Sequence, residues 1–129
     1  MTTVQTMQSN RLSGKNILIV EDEPLLAHDY EECIRGCGAS IVGPFSTTRD
    51  ALDALAVSPI EVDIALVDHA LRDGPSVELQ QRLRSLGIPF VVLTGYPRVL
   101  VRDAENKENL LSKPVTSVEL CEALGNICR

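Results

Sequence analysis

Asn16-Ile-Leu-Ile-Val20-Glu21-Asp22-Glu23 sets four consecutive apolar residues directly against three carboxylates. A short, continuous, β-branched run of this kind suits a strand buried on both faces. Pro24 then occupies a first-turn helix position. Behind it Leu26, Tyr30, Cys33, Ile34 and Cys37 recur at helical spacing until Gly36 and Gly38 supply a stop. The opening unit is therefore a buried strand, an acidic strand end and an amphipathic helix.

The same unit returns along the chain. Ser40-Ile-Val-Gly43 is a second strand, and Thr47 with Asp50 forms an N-cap pair ahead of a helix carrying Leu52, Leu55 and Ala56. Val62 to Val67 is the third strand. Asp73-Gly74-Pro75 is turn chemistry, followed by a helix with Val77, Leu79, Leu83 and Leu86 that Gly87 closes. Pro89 introduces a fourth strand, Phe90 to Leu93. Pro97 to Ala104 reads as a short helix and Asn109 to Ser112 as a fifth strand. Thr116-Ser-Val-Glu119 is a capping box opening a last helix, with Leu120, Leu124, Ile127 and Cys128 as its buried stripe. Continuous apolar strands between amphipathic helices predict a doubly wound α/β fold, a five-stranded parallel sheet covered on both faces.

Ligands of such sheets sit at the carboxyl ends of the strands, and polar residues gather there. Strand one ends in Glu21-Asp22-Glu23, strand three in Asp68, strand four in Thr94-Gly95 and strand five in Lys113-Pro114. If strands one and three are neighbours, three carboxylates converge, and like charges held close need a cation. Magnesium suits two or three carboxylates completed by water and a backbone carbonyl. Lys113 adds a fixed positive charge, and Thr94-Gly95 adds hydrogen-bond donors. Together these describe a receptacle for a phosphoryl group around a carboxylate nucleophile.

The 129 residues fit one domain, with residues 1–14 expected as a polar, flexible tail and 15–129 as the folded unit. Twelve basic against eighteen acidic residues give a net charge of −6, which disfavours direct nucleic-acid binding. No apolar run approaches the ~20 residues that cross a bilayer, and the N-terminus has no apolar signal core, so a cytoplasmic location away from the membrane is expected. Cys33 and Cys37 could share a helix face, but no tight cluster of further zinc ligands lies near them in sequence, and His28 falls on another face. The four cysteines, with Cys121 and Cys128, read as reduced, buried or half-buried thiols.

The motifs Ile19-Val20-Glu21-Asp22-Glu23, Val67-Asp68, Leu93-Thr94-Gly95 and Ser112-Lys113-Pro114, in this order and separation, resemble the receiver domain of two-component response regulators, a bacterial phosphorelay family. The resemblance runs from Asn16 to about Ile127. It implies a flavodoxin-like (βα)5 fold with strand order 2-1-3-4-5, and Asp68 as acceptor of a phosphoryl group from a histidine kinase or histidine phosphotransfer protein. It implies Mg2+ held by Glu21, Asp22, Asp68 and the backbone carbonyl of Ala70, with Asp22 and Asp68 as the direct side-chain ligands. Thr94 becomes the switch hydroxyl and Lys113 the phosphoryl-binding lysine, joined to Pro114 by a cis peptide. The downstream partner would be a protein, and the only catalysis would be on the domain itself.

There are departures from the pattern. The residue three before the lysine is commonly aromatic and is Leu110 here, so activation is expected to remodel residues 95–104 instead. Pro89-Phe-Val-Val-Leu-Thr-Gly-Tyr96 resembles a stand-alone subfamily with a Phe-Ala-Thr-Gly-Tyr-like motif, often paired with HWE-class kinases. A single-domain regulator is expected, with a fragment of a larger regulator or hybrid kinase as the alternative. A receiver-like interaction domain that takes no phosphate is a further alternative. A flavin carrier is disfavoured because Glu21-Asp22-Glu23 would repel its phosphate. A phosphatase acting on outside substrates is disfavoured because Ala70 cannot supply a second acid.

Overall fold

Each of the five apolar runs forms a strand of one parallel sheet. The computed structural model describes residues 11–57, 61–95 and 109–128. Within them lie β1 (Asn16–Val20), α1 (Pro24–Gly36), β2 (Ser40–Phe45), α2 (Thr48–Val57), β3 (Ile64–Asp68), β4 (Ala70–Leu71), β5 (Gly74–Pro75), α3 (Val77–Ser85), β6 (Phe90–Thr94), β7 (Leu110–Ser112) and α4 (Ser117–Ile127). The sheet order is β2-β1-β3-β6-β7, with every pairing parallel. This is the expected 2-1-3-4-5 topology once the two-residue strands β4 and β5 are set apart. The fold is flavodoxin-like.

Side chains on successive strand residues point to opposite faces, so each apolar run feeds two cores. Leu18, Val20, Ala65, Val67 and Val92 pack with Ala51 and Leu55 of α2 and with Leu79 and Leu83 of α3. Ile17, Ile19, Ile64, Leu66, Val91 and Leu93 pack with Tyr30 and Ile34 of α1 and with Leu120 and Leu124 of α4. Two covered faces leave only the ends of the strands open to chemistry.

Local signals behave as their chemistry demands. Pro24 opens α1. Thr47 Oγ1 accepts from the Asp50 amide, 3.0 Å away. The Thr116–Glu119 capping box is present in both directions, at 3.1 and 3.0 Å. The Lys113–Pro114 peptide is cis, as is Gly43–Pro44. At Gly43, φ is +102° and a Cβ would stand 2.9 Å from the Phe45 amide nitrogen, so a side chain there is excluded.

Three expectations need correction. Residues 11–14, assigned to the tail, belong to the fold. Leu12 is fully buried beside Ile34 and Leu124, and the Gly14 amide donates to the Gly38 carbonyl at 3.0 Å. One apolar residue in a polar stretch carries no period, so the pattern hides it. In α2 the buried small residue is Ala51, while Ala56 is exposed. Asp73-Gly74-Pro75 is more than a turn, since Ala70–Leu71 pairs antiparallel with Gly74–Pro75 and Arg72-Asp73 forms the tip. The expected helix at Pro97–Ala104, together with Tyr96, lies outside the described residues. No described helix is long and apolar enough to cross a membrane.

Candidate functional site

β1 and β3 are direct neighbours, with Val20 opposite Val67, and their C-terminal ends bring Glu21 and Asp68 together. Glu21 is 3% exposed and Asp68 6%. Water screens these carboxylates poorly, and they need a positive partner. Lys113, at the end of β7, reaches across β6 to supply it. Its Nζ donates to Asp68 Oδ2 at 2.8 Å and to Glu21 Oε1 at 3.0 Å. The Lys113 amide also donates to the Thr94 carbonyl at 2.7 Å, which ties the base of the lysine to the end of β6.

The charges remain unequal, with three carboxylates against one ammonium. Burial pushes the Glu21 carboxyl up to about 7; its hydrogen bonds from Lys113 and the Glu23 amide only partly oppose this, and the nearby Asp68 adds to it. Burial works to lower the Lys113 pKa, but its hydrogen bonds to Asp68 and Glu21 raise it above the ordinary lysine value. The half-buried Asp22 completes the acidic group, with one oxygen each from Glu21, Asp22 and Asp68 lying within 4.8 Å of one another. Hard carboxylate oxygens in a site short of positive charge fit a magnesium ion rather than a soft metal.

The hairpin after β3 shapes the other side. Ala70 pairs with Pro75, which has no amide hydrogen, and the ladder bond beside them runs from the Ser76 amide to the His69 carbonyl at 2.9 Å. Ala70 is therefore a non-hydrogen-bonded position, with both its backbone groups turned away from β5. Its amide reaches Asp68 Oδ1 at 3.4 Å. Its carbonyl leaves the ladder on that same edge, where a metal ligand is wanted.

The structure thus gathers Glu21, Asp22, Asp68 and Lys113, and sets Ala70 beside Asp68. Thr94, wholly buried, ends β6 one residue beyond Leu93, the register partner of Asp68. Sequence reasoning missed Ser76. Its hydroxyl is fully buried and donates to the Asp68 carbonyl at 2.6 Å, while Gln80 Nε2 donates to it at 3.2 Å. Ser76 holds the backbone of the central aspartate against α3. Ser76 is the N-cap residue of α3 but makes no side-chain cap bond.

Comparison with known proteins places this geometry in a group. No family model matches the chain. It is 33% identical over 101 residues to the phyllosphere-induced regulator PhyR of Methylorubrum extorquens, across 76% of this chain and 38% of that protein, so it spans well under half of that relative. The solution structure of SdrG from Sphingomonas melonis Fr1 is 33% identical, with a TM-score of 0.74, over 88% of this chain and 96% of that one. The response regulator REC domain of Erythrobacter litoralis PhyR is 28% identical, with a TM-score of 0.77, over 89% and 90%.

Proposed function

Since the chain belongs to the receiver domains of response regulators, we propose that it accepts a phosphoryl group on Asp68 from a phosphohistidine, of a histidine kinase or a histidine phosphotransfer protein, and thereby switches its binding to a downstream protein. The observation that carries this reading is the Lys113 ammonium shared between Asp68 and Glu21 at 2.8 and 3.0 Å at the open end of the sheet.

An Asp68 oxygen attacks phosphorus in line, a P–O bond forms, and the P–N bond to the imidazole breaks. Lys113, already against Asp68, stabilises charge on the transferring oxygens, and the Thr94 hydroxyl bonds another of them. The Ala70 amide and the Ser76 hydroxyl hold the Asp68 carboxylate and backbone in place. Asp22, Asp68 and the Ala70 carbonyl would hold Mg2+, with Glu21 supporting the site. When bound, the ion neutralises phosphoryl charge and relieves the crowded carboxylates. The catalysis is confined to the domain's own phosphorylation and dephosphorylation.

Incubation with magnesium and acetyl phosphate or phosphoramidate tests the proposal. The expected result is a mass gain of one phosphoryl group, lost at alkaline pH and absent in Asp68→Asn. An unchanged mass under these conditions favours an interaction domain that takes no phosphate.

A further inference from the structure

α1 and α4 meet through sulfur. Cys37 Sγ and Cys121 Sγ are 2.9 Å apart, and Cys33 Sγ lies 3.4 Å from the same Cys121 Sγ. The partners are 84 and 88 residues from Cys121 in sequence. All are free thiols. The fourth, Cys128, is engaged elsewhere and donates to the Arg11 carbonyl at 3.4 Å.

We propose that Cys33, Cys37 and Cys121 form a peroxide-responsive thiol site, in which oxidation creates a reversible disulfide from Cys121 to Cys33 or Cys37 and fastens α4 to α1. The helical spacing of Cys33 and Cys37 places both toward α4, and Cys121 stands between them as the common partner. A sulfur–sulfur approach of 2.9 Å is within about 1 Å of the ~2.05 Å bond length. The bond therefore forms with little movement of either helix.

Access distinguishes the three sulfurs. Cys37 is buried. Cys33 is half-buried and lines a cavity of about 460 Å3 with Asp29, Tyr30, Lys113 and Ser117. Cys121 is half-buried too but is not among the residues lining that cavity, so the cavity offers a small oxidant Cys33. Cys33 is also the acidic thiol of the group: the hydrogen bond from Cys121 lowers its pKa from 9.0 to about 7, and the thiolate is the nucleophilic form.

The chemistry closes without a cofactor. The Cys33 thiolate attacks hydrogen peroxide, an S–O bond forms, the O–O bond breaks, and the departing hydroxide takes a proton to become water. Cys121 then attacks the sulfenic sulfur. An S–S bond forms, the S–O bond breaks, and the departing hydroxide takes the Cys121 proton. Two thiols and one peroxide yield one disulfide and two waters. Cys121, 3.4 Å from Cys33, reaches the sulfenic sulfur without a change of neighbour. Cys37, 2.9 Å from Cys121, can then displace Cys33 by thiol–disulfide exchange.

The test is treatment of the whole chain with equimolar hydrogen peroxide, thiol blocking and non-reducing peptide mass spectrometry. Arg35 lies between Cys33 and Cys37, so trypsin puts the two on separate peptides. The expected result is an intrachain crosslink from Cys121 to one of them, loss of two free thiols, and recovery of both on reduction. Cys128→Ser should crosslink to the same extent. Cys121→Ser should give no crosslink and leave Cys33 trapped as a sulfenic acid that dimedone labels; far-ultraviolet circular dichroism checks that the variant is folded. Four blocked thiols after peroxide treatment, or a crosslink found only between chains, would overturn the proposal.

Discussion

Glu21, Asp22 and Asp68 at the end of the sheet, and Asp73 and Glu119 at two helix N-termini, are the same chemical groups in opposite circumstances. Asp73, at the tip of the β4–β5 hairpin, accepts from the Thr48 and Arg49 amides of α2 at 3.0 and 3.1 Å. Glu119 closes the capping box of α4. Each of these two carboxylates meets amides that would otherwise lack a partner. The first three instead meet one another, and one lysine cannot balance them. Carboxylates that cap helices satisfy the fold, whereas those held against the interests of stability are available for chemistry. The hairpin links the two kinds, since the capping Asp73 lies five positions after Asp68.

This contrast can be broken at either end. The largest effect is expected for Asp68→Asn, which keeps the shape and removes the nucleophile. Magnesium-dependent phosphoryl labelling should disappear in intact-mass analysis, with the fold retained. Next, Lys113→Ala leaves two buried carboxylates without their cation. It should cost about 3 kcal/mol in urea unfolding, the low end for a broken buried pair because the Lys113 side chain is itself 21% exposed. Labelling should fall with it. Asp22→Ala should weaken magnesium binding on the order of tenfold or more in titration calorimetry, with little change in unfolding free energy.

The capping carboxylates should behave in the other way. The Thr48 and Arg49 amides hold Asp73 below its ordinary value of 3.8. A carboxylate whose pKa is depressed by folding adds stability above its unfolded pKa and loses it as pH falls through the folded one. Asp73→Ala should therefore lower the Tm at pH 7, and the gap to the parent should narrow as the pH is taken below about 4. Its labelling at pH 7 should be intact; a collapse of labelling without unfolding would show that the hairpin tip positions Asp68 as well as α2. The smallest effect is expected for Glu119→Ala, within about 0.5 kcal/mol by urea unfolding and with labelling unchanged.

Much of this was legible in the residues themselves. The five strand runs, Pro24 at the start of α1, the Thr47 cap and the Thr116–Glu119 box depend on neighbours within a few positions, so periodicity and hydrogen-bond chemistry reveal them directly. The placing of Glu21, Asp22, Asp68, Thr94 and Lys113 follows from a general rule, that parallel strands expose only their ends. The cap that Asp73 provides was not legible, because donor and acceptor are 25 residues apart. Ser76 was missed because its hydroxyl bonds the carbonyl of Asp68, eight positions away, and no local pattern marks that pairing.

The sequence by itself determined the alternation of elements, the parallel sheet and the end at which chemistry gathers, because burial period and capping are short-range properties written into consecutive residues. Only the tertiary structure decided which distant groups touch. It brought Lys113 to within 3.0 Å of both Glu21 and Asp68, folded Leu12 into the core, and set three sulfurs from α1 and α4 against one another. Such contacts arise when the sheet closes and the helices settle on it. Their distances depend on the packing of the whole chain, which no local pattern encodes.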